Sequence, residues 1–227
     1  MAVASIVPAG SPKYGPIAIT FTQFLRFDIS DGNKRVKVVQ DIREQGDWDV
    51  SRDFYLGLRQ KIRGRVNADD LSGAELLTYA QGPGIDDDKR ARYRANARGF
   101  QAFEKRYKPK LAGPVPRSIW SDGNLRVTTD PEAIFRLNGV RYLTKIYLSR
   151  DLLESGRLIA SLQLLREAYP KTSTRVGILD CDKGILHRDT RLNQNSLILL
   201  RTTAAQFVGI WRLLEEGVVP SRITEIS

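Results

Sequence analysis

The dipeptide Asn138-Gly139 constrains this chain more than any other feature. Both central residues of a two-residue type I′ turn need positive φ, which Asn and Gly adopt at the least cost. The dipeptide separates two runs of alternating residues, Ala133–Leu137 and Val140–Leu148, and so predicts a β-hairpin of fixed register. Leu137 should face Val140, Phe135 should face Tyr142, and Glu132 should face Lys145. One face then carries Ala133, Phe135, Leu137, Val140, Tyr142, Thr144, Ile146 and Leu148. The other carries Glu132, Ile134, Arg136, Arg141, Leu143, Lys145 and Tyr147, a mixed set unlike a plain solvent surface.

Around the hairpin the pattern is mostly helical. Residues 1–17, with Pro8, Gly10, Pro12, Gly15 and Pro16, read as a flexible arm. In 18–85, Phe21–Phe27 is a short apolar segment, and helices are predicted over Asn33–Glu44 and Ser51–Arg63. Ser72 to Glu75 has capping-box spacing. From 86 onward a helix over Lys89–Lys110 is followed by the break Gly113-Pro114-Val115-Pro116. A strand at Leu125–Thr129 then begins a three-strand meander with the hairpin. Ser149 should cap a helix over Arg150–Ala168, and strands follow at Val176–Asp180 and Ile185–His187. Asn195 or Ser196 should start a last helix, ending at Glu216 before Gly217. The order predicts an α+β fold: a helical N-terminal part, 18–85, and an αβββαβ-like core in 86–227 whose small, mainly antiparallel sheet is flanked by helices.

The single cysteine, Cys181, rules out an internal disulfide, and with one histidine, His187, no Cys/His zinc cluster can form. Residues 1–16 lack an export-signal pattern and no segment reads as a bilayer span, so a cytoplasmic, membrane-free protein is expected. Neither standard glycine-rich nucleotide loop occurs. Cys181 and His187 share a predicted hairpin, where a structural role outweighs a nucleophilic pair. Asp180 and Asp182 read as turn residues, Trp120 and Trp211 as core or interface anchors, and Trp48 as a partner contact.

The net charge of +10 is concentrated. Residues 89–110 hold nine Lys or Arg and one acid, Glu104, whereas 1–88 hold 11 basic and 13 acidic residues. Along the predicted helix Tyr93, Ala97, Phe100, Phe103 and Tyr107 form one stripe, with Arg92, Arg94, Arg98, Lys105 and Arg106 away from it. Such a stripe attracts phosphate polyanions in a salt-dependent way. It would equally dock an acidic protein partner, which is the alternative function. Glu104 falls within the apolar stripe, so it needs a partner, a metal or a raised pKa, unless it reaches solvent from the stripe's edge.

The order helix, three-strand meander, helix, strand over about residues 89–180 resembles the minimal core of the PD-(D/E)XK nuclease-like superfamily. That resemblance implies a Mg²⁺-dependent phosphodiesterase or nuclease site made of Glu104, Asp130 or Glu132, and Lys145, with the carboxylates as metal ligands. The motif's acid two residues before the lysine is replaced here by Leu143, which marks a degenerate version; Asp130 stands where it could substitute. For Glu132 and Lys145 the alternative is an exposed cross-strand ion pair contributing roughly 0.2–1 kcal/mol. The segments 53–59, 138–148 and 177–180 also resemble those of an uncharacterised bacterial, actinobacterial protein family, a similarity that implies no activity.

Overall fold

The computed structural model describes residues 15–45, 54–149, 153–170, 173–190 and 192–217. The predicted arm at 1–14, Trp48 and the start of the helix predicted from Ser51 lie outside these residues. The described chain forms β1 (Ile17–Thr20), α1 (Phe21–Ile29), α2 (Gly32–Glu44), α3 (Leu56–Asn67), α4 (Gly73–Gln81), α5 (Asp87–Tyr107) and β2 (Lys110–Leu111). There follow β3 (Ser118–Asp122), β4 (Leu125–Thr129), β5 (Ala133–Leu137), β6 (Val140–Tyr147), α6 (Ile159–Ala168), β7 (Arg175–Asp180), β8 (Ile185–Arg188) and α7 (Gln194–Glu215). The architecture is α+β, with N-terminal helices and small mixed sheets flanked by helices, as the sequence predicts.

Asn138 and Gly139 adopt φ of 48° and 82°, and the hairpin they close has the expected register: Leu137 opposite Val140, Phe135 opposite Tyr142, Ala133 opposite Thr144. This hairpin is the centre of a five-stranded sheet in the order β2-β5-β6-β7-β8, where only β6 and β7 run parallel. Both faces are covered over the middle of the sheet, though not at the Lys110–Arg136–Arg141 end of the second face. On one, Ala133, Phe135, Tyr142 and Ile146 pack against Phe100 and Phe103 of α5, with Leu58 and Ile62 of α3 and Leu76 of α4 behind them. On the other, Leu143, Tyr147, Val176 and Ile178 join a core built from α1, α2, α6, α7 and β1. Coverage by this second layer explains the mixed composition of that face. Val140, at the hairpin tip, is exposed rather than part of the first core.

Several boundaries differ from the sequence reading; the helix expected to reach Lys110 ends at Tyr107, where Lys108 turns left-handed at φ 45°, and Lys110 enters β2. Leu125–Thr129 does not lead the meander but sits between β1 and β3 in a separate sheet, parallel to β1 and antiparallel to β3. Pro131, which has no N–H to donate, follows it and breaks any direct continuation into β5. The short β2 pairs with β5 in its place, so β2, β5 and β6 form the meander and β3–β4 interrupts it. The helix expected from Arg150 begins only at Ile159; Ser155–Arg157, which includes Gly156, forms a single 3₁₀ turn. Its N-terminus is capped from another element, since the Asp28 carboxylate of α1 accepts from the Ser161 amide (3.0 Å) and hydroxyl (2.6 Å). Ile17, assigned to the arm, already pairs with Leu125 in β1. Residues 18–85 divide between both cores: α1 and α2 serve one, α3 and α4 the other.

α7 departs from expectation in composition. It is 22 residues long with a mean hydropathy of 1.3 in its most apolar window, and among the described residues it is the one helix long and apolar enough to cross a membrane. It packs on the second core through Leu200, Ala204 and Phe207, leaving Ile198, Leu199 and Leu213 exposed.

α5 lies unusually close to the β7–β8 turn. A Cβ on Gly99 would come within 1.9 Å of the Cys181 carbonyl oxygen and 2.6 Å of that of Asp182. Gly184, at φ 62°, faces the same contact from the turn. In an open helix, Gly→Ala would stabilise by about 1 kcal/mol. Here Gly99→Ala should instead destabilise by about 2 kcal/mol or more, because the obstructing atoms are backbone and cannot rotate away. Urea denaturation of the two proteins checks this, and a gain in stability would show that the approach is looser than described.

Candidate functional site

The extended hairpin register brings Glu132 and Lys145 together, and the result is a buried ion pair. Lys145 Nζ lies 2.6 Å from Glu132 Oε1, with side chains only 6% and 1% exposed. Further bonds hold the pair: Glu132 Oε2 accepts from the Ile146 amide at 2.7 Å, and Lys145 Nζ also donates to the Asp130 carbonyl oxygen at 3.2 Å. The exposed pair envisaged as the alternative is therefore corrected to an interior one, because α6 and its core cover that face. Beside it, Tyr169 Oη donates to the Pro116 carbonyl oxygen and accepts from Thr129 Oγ1. Burial raises the Tyr169 pKa, and the charges of Asp130 and Glu132 add to the rise. The Glu132–Lys145 pair thus belongs to a polar knot where the two sheets meet.

The other expected site residues have separate tasks. Asp130 forms ion pairs with Arg63 of α3 at 2.5 Å and Arg117 at 3.6 Å. Glu104, half-buried on α5, accepts from the Gly73 amide at 3.0 Å and so satisfies a free N–H at the start of α4. Its pKa is raised by burial and lowered by that bond. Of the four, Asp130, Glu132 and Lys145 are neighbours, whereas Glu104 serves the α4–α5 contact. Among the described residues no group of three or more His, Cys, Asp or Glu is arranged to hold a metal ion. Each carboxylate already has cationic or amide partners, and this donor set does not fit a divalent ion.

α5 has the two faces expected of it. Tyr93, Ala97, Phe100 and Phe103 are buried, and the Asp86 side chain caps the helix through the Lys89 amide. The first-turn cations are neutralised locally: Lys89 pairs with Asp86 and Arg90 with Asp87. Further along they are not. Arg94, Arg98 and Lys105 have no carboxylate partner among the described residues; Arg98 and Lys105 are exposed and Arg94 half-buried. Arg92 lies over the Phe54 ring (5.4 Å), and Arg106 and Arg188 lie near Tyr107 (6.0 and 5.8 Å), contacts that orient guanidinium groups without cancelling their charge.

Two polar sites were not evident from sequence. Asp28, whose carboxyl is pushed up to about 6 by burial against the opposing pull of Ser161 and Arg35, lines a cavity of about 260 Å³ between α1, α6 and α7. His187 is buried and shares a 3.0 Å hydrogen bond with Ser155 through Nδ1; burial lowers its pKa. Cys181 donates to the Asn96 carbonyl oxygen rather than meeting His187, and burial pushes its thiol pKa up. Long-range packing creates these sites, and no local motif announces them.

A buried pair is costly to halve and cheap to replace as a whole. Lys145→Met should destabilise by about 3–5 kcal/mol, leaving Glu132 charged and unpaired. Adding Glu132→Gln, which keeps an acceptor for the Ile146 amide, should recover most of that loss. Chemical denaturation measures both. A Lys145→Met cost under about 1 kcal/mol, the range of an exposed pair, would contradict the interior assignment.

Set against known proteins, the chain matches no family model and no curated sequence.

Proposed function

We propose that this protein binds nucleic acid through the phosphate backbone, without reading base sequence, and that the binding surface is the basic side of α5. The observation that carries the reading is the contrast along this helix: the cations of its first turn are matched by Asp86 and Asp87, whereas Arg94, Arg98 and Lys105 have no carboxylate partner among the described residues. Unmatched cations on one rigid helix give a local positive field that releases condensed counterions when phosphates replace them. Nothing in the sequence supplies a base-reading motif, so the contacts position the polyanion rather than select its sequence.

The scaffold is consistent with a degenerate nuclease-like core. With the β3–β4 hairpin treated as an insertion, α5, β2, β5, β6, α6 and β7 keep the order helix, three strands, helix, strand. The carboxylates and lysine that would serve a Mg²⁺-dependent phosphodiesterase are engaged in structural bonds, which favours binding over cleavage.

Arg94→Glu, Arg98→Glu and Lys105→Glu together should weaken duplex binding roughly tenfold or more near 0.1 M salt. The same change should reduce the slope of log affinity against log salt by about 3. Fluorescence anisotropy at several salt concentrations, with thermal melts to confirm folding, measures both quantities. Unchanged affinity and slope in a folded variant would refute the assignment to α5. No binding by the wild type even at low salt would refute the nucleic-acid reading and favour an acidic protein partner for the same helix.

A further inference from the structure

A second set of cations lies beyond the end of α5. Lys110 of β2 stands directly opposite Arg136 of β5, and Arg136 directly opposite Arg141 of β6. Their alternation partners fix the face they share: Leu111, Phe135 and Tyr142 pack toward α5, so Lys110, Arg136 and Arg141 project from the other side of the sheet. All three are exposed, and none has a carboxylate partner among the described residues. Adjacent strands are about 4.8 Å apart, so three positive side chains cross about 10 Å of surface in one line. Like charges directly opposite one another in a sheet oppose folding. Two of the three are arginines, whose planar forks bind phosphate oxygens in pairs.

We propose that Lys110, Arg136 and Arg141 form a phosphate-binding row, distinct from the α5 stripe, that takes the phosphates of a polyphosphate or nucleic-acid chain. Lys108 and Lys110, at the α5–β2 junction, link the two cationic surfaces, so that a bound chain would pass around the β2 edge of the sheet. The identity of the ligand as nucleic acid rests on the function proposed above; the existence of the site does not.

The test uses the full chain in three forms: wild type, the row variant Lys110→Gln, Arg136→Gln, Arg141→Gln, and the α5 variant Arg94→Glu, Arg98→Glu, Lys105→Glu. Inorganic tripolyphosphate and a single-stranded oligonucleotide serve as probes, read by thermal midpoint and anisotropy. Without ligand the row variant should melt at or above the wild-type temperature, because repulsion has been removed. Tripolyphosphate at about a hundredfold excess over its Kd should raise the wild-type midpoint by about 5 °C or more, with most of this rise lost in the row variant and kept in the α5 variant. If the oligonucleotide fails to bind while the row-dependent tripolyphosphate response remains, the nucleic-acid reading falls and the row stands. If the oligonucleotide binds and the row variant matches wild type in both probes, the row falls and the nucleic-acid reading stands. A row variant that melts well below wild type would also overturn the proposal, since these cations would then be stabilising the fold.

Discussion

The buried pair of Glu132 and Lys145 is the interaction on which the rest of this structure depends. Removing either charge from water costs several kcal/mol, and only good geometry with every remaining valence filled returns it. The geometry here is good: the charged atoms are 2.6 Å apart, the Ile146 amide donates to the second carboxylate oxygen, and the Asp130 carbonyl accepts from the ammonium group. Such a pair tolerates no slip of register, because moving either strand by one residue would turn its charge toward the α5 core. The pair therefore reinforces the alignment that Asn138 and Gly139 begin, and holds it where β4 leaves one sheet and β5 enters the other. Asp130, bonded to Arg63, connects the same junction to α3.

The central sheet explains how one chain can hold two cores. α5 closes one side with aromatic side chains, and its close approach to the β7–β8 turn is possible because Gly99 and Gly184 lack a Cβ. α6 closes the other side, its first turn capped by Asp28 across more than a hundred residues of sequence. Acidic side chains do much of this internal tying: Asp28 caps α6, Glu104 caps α4, Asp130 holds α3 and Glu132 holds Lys145.

What could be read from sequence was what local chemistry decides. Asn138-Gly139 determines a turn within four residues, so the register and the meeting of Glu132 with Lys145 were both legible. The stripe of α5 is legible because the 3.6-residue period survives over about four turns. The burial of the pair was not, since it depends on α6 and α1 arriving from elsewhere in the chain. The place of Glu104 within the apolar stripe is legible, but its partner is a backbone amide 31 residues upstream, which no spacing rule reveals. The β3–β4 hairpin was missed although Asp122-Gly123-Asn124 carries turn chemistry and Gly123 has φ of 52°. Assigning Leu125–Thr129 to the main sheet then followed from reading consecutive strands as neighbours, a tendency that the break at Pro131 overrides.

On the function proposed above, structure and function separate along these lines: the interior ionic groups hold the fold, and the surface cations without carboxylate partners among the described residues would meet the ligand. The most direct measurement is the nucleic-acid affinity and salt slope of a folded Glu132→Gln/Lys145→Met protein. Both should match wild type, because neither residue reaches the surface. A folded double variant that has lost binding would contradict this division and return Glu132 and Lys145 to the functional site.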